Sequence, residues 1–161
     1  MREIRRKEKA IDEEEQLRIL NRALYVTIAM CNNNIPYLVT LNFVLDNDQK
    51  CIYFHCAKKG KKIEILEKNN LIWGEAMLDF GYLEGECDHN YASVHFQSNV
   101  TFIEEFEEKK KALELLIEKF EKEPEKKNKE YLTEKSIINV KIGKINISYM
   151  SGKKNKKAVI D

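Results

Sequence analysis

The feature that most narrows the fold is strict apolar alternation over long stretches. In "IPYLVTLNFVLD" Ile35, Tyr37, Val39, Leu41, Phe43 and Leu45 fall on one side, and Pro36, Leu38, Thr40, Asn42 and Val44 on the other. In "YASVHFQSNVTFI" Ala92, Val94, Phe96, Ser98, Val100 and Phe102 oppose Ser93, His95, Gln97, Asn99 and Thr101. A period of two is the signature of strands with one buried face. "LYVTIAMC", "CIYFHCA", "LIWGEAMLDF" and "SIINVKIGKINISYM" read as further strands, with turns at Asn32–Asn34 and at "DNDQK" and a polar loop at "GYLEGECDHN". In the last strand the apolar phase changes at Gly143, as a bulge or barrel corner would make it.

Helical spacing is confined to three places. "IDEEEQLRILNRA" opens with Asp12 and Glu15 at capping-box spacing, a helix is expected over 61–69, and "EEFEEKKKALELLIEKFEKE" is amphipathic. "PEKKNKE" reads as a solvated linker. About six strands joined by short turns predict a mainly β, α+β chain forming a six-stranded antiparallel barrel, which removes the apolar edges an open sheet would leave.

The 161 residues fit one domain, 1–161, with an N-terminal arm and helix over 1–23 and a basic tail over 151–161. Its 28 basic and 27 acidic side chains nearly cancel, so no global field favours nucleic acid or membrane. No apolar run approaches a membrane span and "MREIRRKEKA" lacks a signal-peptide core, so a cytoplasmic location is expected. Cys31, Cys51, Cys56 and Cys87 show no metal-ligand spacing and are expected to be reduced.

Between strand and helix lies "AKKGKK", with Lys58, Lys59, Gly60, Lys61 and Lys62. Cations at a helix N-terminus oppose the macrodipole, whereas an anion there is welcomed by it and by free N–H groups. A hydrated surface turn is one reading. The other is an anion cradle, with Gly60 allowing close backbone approach and the lysines supplying charge.

The ordered set "PYLVTLNF" (Pro36, Tyr37, Asn42, Phe43), "YFHCAKKGKK" (Tyr53, Phe54, His55, Cys56, Ala57, Gly60, Lys62), "YASV" (Tyr91, Ser93, Val94) and "SGK" (Ser151, Gly152, Lys153), after an opening "MREIRRKEKAI", carries a resemblance. It resembles the nitroimidazole-resistance branch of the pyridoxamine 5′-phosphate oxidase-related, FMN-binding split-barrel superfamily. That resemblance implies a homodimeric split β-barrel with FMN at the subunit interface. Lys61 and Lys62 would grip the FMN phosphate, and His55 and Cys56 would touch the flavin or its ribityl chain. Thr40, Leu41 and Asn42 would flank the ring, and Ser93 would reach the cofactor from a later strand. His55 is the candidate for orienting a substrate, and His95 for lining the dimer interface. Thr40 stands where a proline is usual and Ser98 where a glycine is common. The arginine-rich C-terminal signature of vitamin B6 oxidation is missing. The implied function is FMN-dependent reduction of a small nitroaromatic- or quinone-like electrophile, recharged by a nicotinamide or other reductant. The alternatives are a non-catalytic binding or sensing module for FMN, deazaflavin or haem, and a cofactor-free structural dimer.

Overall fold

In the computed structural model, residues 4–160 are described; the "MRE" that opens the first motif and Asp161 lie outside them. A short 3₁₀ turn (Lys7–Lys9) leads to α1 (Glu13–Arg22), capped by the Asp12 carboxylate, which accepts from the Glu15 amide at 2.8 Å. β1 (Tyr25–Asn32) and β2 (Ile35–Asn42) form a hairpin. Its turn holds Asn33 and Asn34 at φ 51° and 63°, the left-handed pair that a two-residue hairpin needs and asparagine tolerates. β3 (Val44–Asp46), β4 (Cys51–Cys56), α2 (Lys61–Lys68), β5 (Leu71–Leu83) and β6 (Asp88–Ile103) follow. After α3 (Phe106–Phe120) come α4 (Pro124–Tyr131), α5 (Glu134–Asn139), β7 (Lys141–Asn146) and β8 (Tyr149–Lys154).

All ladders are antiparallel, in the order β2-β1-β5-β6-β7-β4-β3, with β8 also on β6. The mainly β, α+β class holds and is consistent with a split barrel, but the sheet has eight strands instead of the expected six and its ladder does not close. Its two end strands, β2 and β3, are instead joined covalently through Phe43, which is fully buried. The expected single strand over 35–46 therefore breaks at Phe43. β6 runs through both halves of the sheet: Ala92–Gln97 pair with β8, and Val100–Ile103 with β7.

Two apolar clusters hold the structure. Val26, Ile28, Phe54, Phe96 and Ile145 meet α1 and α2 in the interior of the curled sheet. Cys51, Tyr53 and Ile142 lie on the other side of β4 and β7, beneath Ala112 and Leu116 of α3. This second layer explains the phase change at Gly143. The β4–β7 register runs unbroken from Cys51–Asn146 to Cys56–Lys141, so there is no bulge. Ile142 serves the α3 side and Ile145 the interior, and both are fully buried. Gly143 is required for space: a Cβ there would stand 2.2 Å from Cζ of Phe54.

Other departures share a cause, namely local polar chemistry without apolar periodicity. α4, expected as a linker, starts with Pro124 at its first turn and carries a Lys127–Glu130 pair at 2.9 Å, with no buried residue. Residues 134–139, expected as strand, form α5 because Thr133 caps it, accepting from the Ser136 amide at 3.2 Å. Most of the expected loop at 81–90 belongs to β5 and β6. The expected basic tail is β8 and its continuation: Gly152 packs against Ile11 and Gln16, and Ala158 and Ile160 join the interior cluster. Among the described residues, no helix is long and apolar enough to cross a membrane.

Candidate functional site

α2 begins at Gly60, whose φ of 134° and ψ of 167° suit glycine alone, and no side chain caps its free amides. Nothing lies within 4 Å of the place a Gly60 Cβ would occupy, so the backbone there is open to close approach. Among the described residues, Lys58, Lys59, Lys61 and Lys62 make no ion pair with a carboxylate. The Lys61 ammonium instead lies 4.7 Å from the Tyr37 ring centroid, and that of Lys62 lies 5.6 Å from the Phe54 ring. Lys61, Lys62 and Cys56 line a concavity of about 180 Å³ with Tyr37 and Val39. An unpaired cationic rim over uncapped amides is chemically suited to a phosphate-sized anion.

β4 sends consecutive side chains to opposite sides. Phe54 and Cys56 face the interior, whereas Tyr53 and His55 face α3. Cys56 thus borders the lysine cavity, while His55 lines a second concavity of about 290 Å³ with Asn42 and the Leu113, Leu116, Ile117 and Phe120 stripe of α3. Desolvation first, and then the charge of Lys62, hold the His55 imidazole below its ordinary range, so it is neutral at neutral pH. Desolvation raises the Cys56 thiol against the pull of Lys62 and Lys141, which leaves it protonated and packed rather than nucleophilic.

The remaining predicted residues are dispersed. Leu41 packs against the interior cluster. The Thr40 hydroxyl meets that of Thr27 at 3.0 Å, a cross-strand bond that the usual proline could not make. Ser98 is buried, and its hydroxyl donates to the Asn146 carbonyl, fastening β6 to the end of β7. Ser93 is 2% exposed, and its hydroxyl finds no partner among the described residues. It lies between Met77 and Lys153 on the outer sheet face, away from the lysine cavity. On that same face Tyr25, Leu38, Trp73 and Met77 are 42–63% exposed. His95 is there too, with its Nε2 3.3 Å from Glu75.

Tyr37 and Val39 were missed as site residues, although the alternation in "PYLVTL" already set them on one face. The same alternation in "YFHC" contained the divergence of His55 from Cys56. Among the described residues, no group of three or more His, Cys, Asp or Glu side chains is placed to hold a metal ion.

An antiparallel, incompletely closed barrel with an uncapped, lysine-rimmed helix start defines the architecture. The chain matches the sequence model of the family described as pyridoxamine 5′-phosphate oxidase over residues 12–154, and it belongs to that family. No curated protein matches it. Among solved structures, it is similar to a candidate 5-nitroimidazole antibiotic resistance protein from Bacteroides thetaiotaomicron. That match has a TM-score of 0.77 and 27% identity, covering 89% of this chain and 85% of that one. It also shares its fold with the flavocytochrome Anf3 of Azotobacter vinelandii, with a TM-score of 0.79, 18% identity, and coverage of 99% and 75%. An FAD- and haem-binding protein of Mycobacterium smegmatis follows, with a TM-score of 0.75, 16% identity, and coverage of 95% and 76%.

Proposed function

We propose that the protein is an FMN-dependent oxidoreductase, active as a homodimer, that reduces a small nitroaromatic- or quinone-like electrophile. The observation that carries this reading is the set of unpaired lysines at the uncapped start of α2, facing an open cavity. A phosphate monoester carries roughly −1.5 to −2 charge at pH 7. Lys61, Lys62 and the α2 amides are the groups that would offset it.

The fit is incomplete in one chain, and that is informative. A cavity of about 180 Å³ suits the phosphate and part of the ribityl chain, not a tricyclic ring. Pockets that enclose a ligand of that size run to about 300–1,000 Å³. A second wall is needed, and the exposed Tyr25, Leu38, Trp73 and Met77 form an apolar sheet face suited to a second copy. Thr40, Leu41 and Asn42 of β2 are the proposed neighbours of the ring, and Cys56 is a packed wall of the phosphate cavity. Ser93, with its unpartnered hydroxyl, is the proposed polar contact from the sheet face. His55, neutral and facing an apolar concavity, is the residue proposed to orient a substrate.

The bound flavin would supply the electron transfer, taken from a nicotinamide or other reductant. The family match and the relatives described as flavocytochrome and as FAD- and haem-binding support that chemistry. The test is FMN titration followed by the absorbance of the bound cofactor. Losing a charge-assisted contact worth about 1.5–3 kcal/mol corresponds to roughly 10- to 100-fold weaker binding in Lys62→Ala. A wild-type protein that takes up no FMN, or a variant that binds it equally well, refutes the cradle. Reduction of the bound flavin by a nicotinamide, and its reoxidation by a nitro compound or quinone, then separates turnover from mere carriage.

A further inference from the structure

On the other side of the lysine loop, Lys58 borders a different concavity, of about 300 Å³, with Lys109 of α3 and Lys141 of β7. None of the residues that line the Lys61–Lys62 cavity lines it. Lys109 is unusual among these: it is only 6% exposed, yet no carboxylate pairs with it among the described residues. Its ammonium donates to the Ile138 carbonyl at 3.3 Å, which occupies one of three available protons. Lys141 pairs with Glu67 at 3.1 Å, and Lys58 makes no ion pair. One carboxylate, Glu104, also lines the concavity, so among the described residues two cations without a carboxylate partner, Lys58 and Lys109, face one anion. A buried charge without a partner is costly, and the cost is recovered when an anion enters.

We propose that this concavity is a second anion site, which takes the phosphate or diphosphate group of a small molecule. Lys109 is its buried contact, with Lys58 closing over the charge. Ile103, Ile138 and Val140 provide an apolar wall for whatever the phosphate is attached to. The loop carrying Lys58 also carries Lys59, Lys61 and Lys62 into the neighbouring cavity. The anion is therefore either the second phosphate of a dinucleotide spanning the loop or part of a separate phosphorylated molecule. The site itself stands whether or not the flavin reading does.

The experiment is an amide NMR titration of the full chain with pyrophosphate at constant ionic strength, since exposed lysines respond to salt alone. Saturable shifts are expected at Lys109 and at 138–141, and they should persist in Lys61→Ala/Lys62→Ala. Lys109→Met should weaken that binding about tenfold or more, the cost of one charge-assisted hydrogen bond. Lys58→Ala, at an exposed position that threatens no packing, should weaken it in the same direction. Absence of saturable shifts at 138–141, or unchanged affinity in both single variants, overturns the proposal. Within a positive result, selective loss of FAD over FMN binding in Lys109→Met assigns the site to a dinucleotide. Pyrophosphate binding that is undiminished by saturating FMN or FAD assigns it to a separate molecule.

Discussion

Gly143 is the position at which one methyl group has the most predictable effect. An added Cβ would stand 2.2, 2.4 and 2.7 Å from three atoms of the Phe54 ring. Carbon atoms pack comfortably at about 3.5 Å, so the ring or strand must yield by about 1.3 Å. Phe54 is fully buried in a close-packed interior, where such overpacking costs about 1–3 kcal/mol. Alanine returns roughly 0.5–1 kcal/mol by restricting the unfolded chain, which leaves Gly143→Ala destabilised by about 1 kcal/mol. Phe54→Leu alone should cost about 1–2 kcal/mol, less than full truncation. The double variant should be little worse than Phe54→Leu, giving a coupling energy of about 1 kcal/mol. Urea unfolding at fixed protein concentration measures all four corners, with unchanged slopes confirming that the unfolded states are comparable. Additivity within about 0.5 kcal/mol would refute the socket and leave the glycine without a steric reason.

The pH dependence of stability should carry the mark of Asp46. Desolvation opposes its charge, but the Lys111 hydrogen bond and the Gln49 and Asp48 amides outweigh it, and the carboxyl lies below its ordinary range. A depressed carboxyl contributes stability above its unfolded pKa and loses it as pH falls through the folded one. Acid unfolding should therefore steepen below about pH 4, and Asp46→Asn should be less stable at neutral pH with a flatter acid limb. A parallel offset at every pH would contradict this. Because Lys62 helps depress His55, Lys62→Ala should raise the imidazole pKa, as read by NMR titration without any cofactor; an unmoved midpoint would place the two charges farther apart than described.

Wherever one sheet face was buried and the other wet, the sequence was legible. β1 and β6 have nearly their expected extents because Val26, Ile28, Val94 and Phe96 alternate with polar or exposed neighbours. Legibility failed where a strand was buried on both sides, as in β7, or where helices were held by caps instead of an apolar stripe, as in α4 and α5. The lysine-flanked helix start was readable because Gly60 and four lysines are contiguous. Lys109 was not, since a lysine on an amphipathic helix looks solvated until α5 folds over it. The placement of Ser93 outside the Lys62 cavity, opposite Met77 and Lys153, is a property of topology, and no local pattern encodes it.

The outer sheet face has one more consequence. Trp73, the sole tryptophan of the chain, is 42% exposed there, with its indole 6.3 Å from the Tyr149 ring at 76°. Its emission colour follows the wetness of that face alone, undiluted by other indoles. Any molecule that covers the face would shift that colour towards the blue, a change readable without any label.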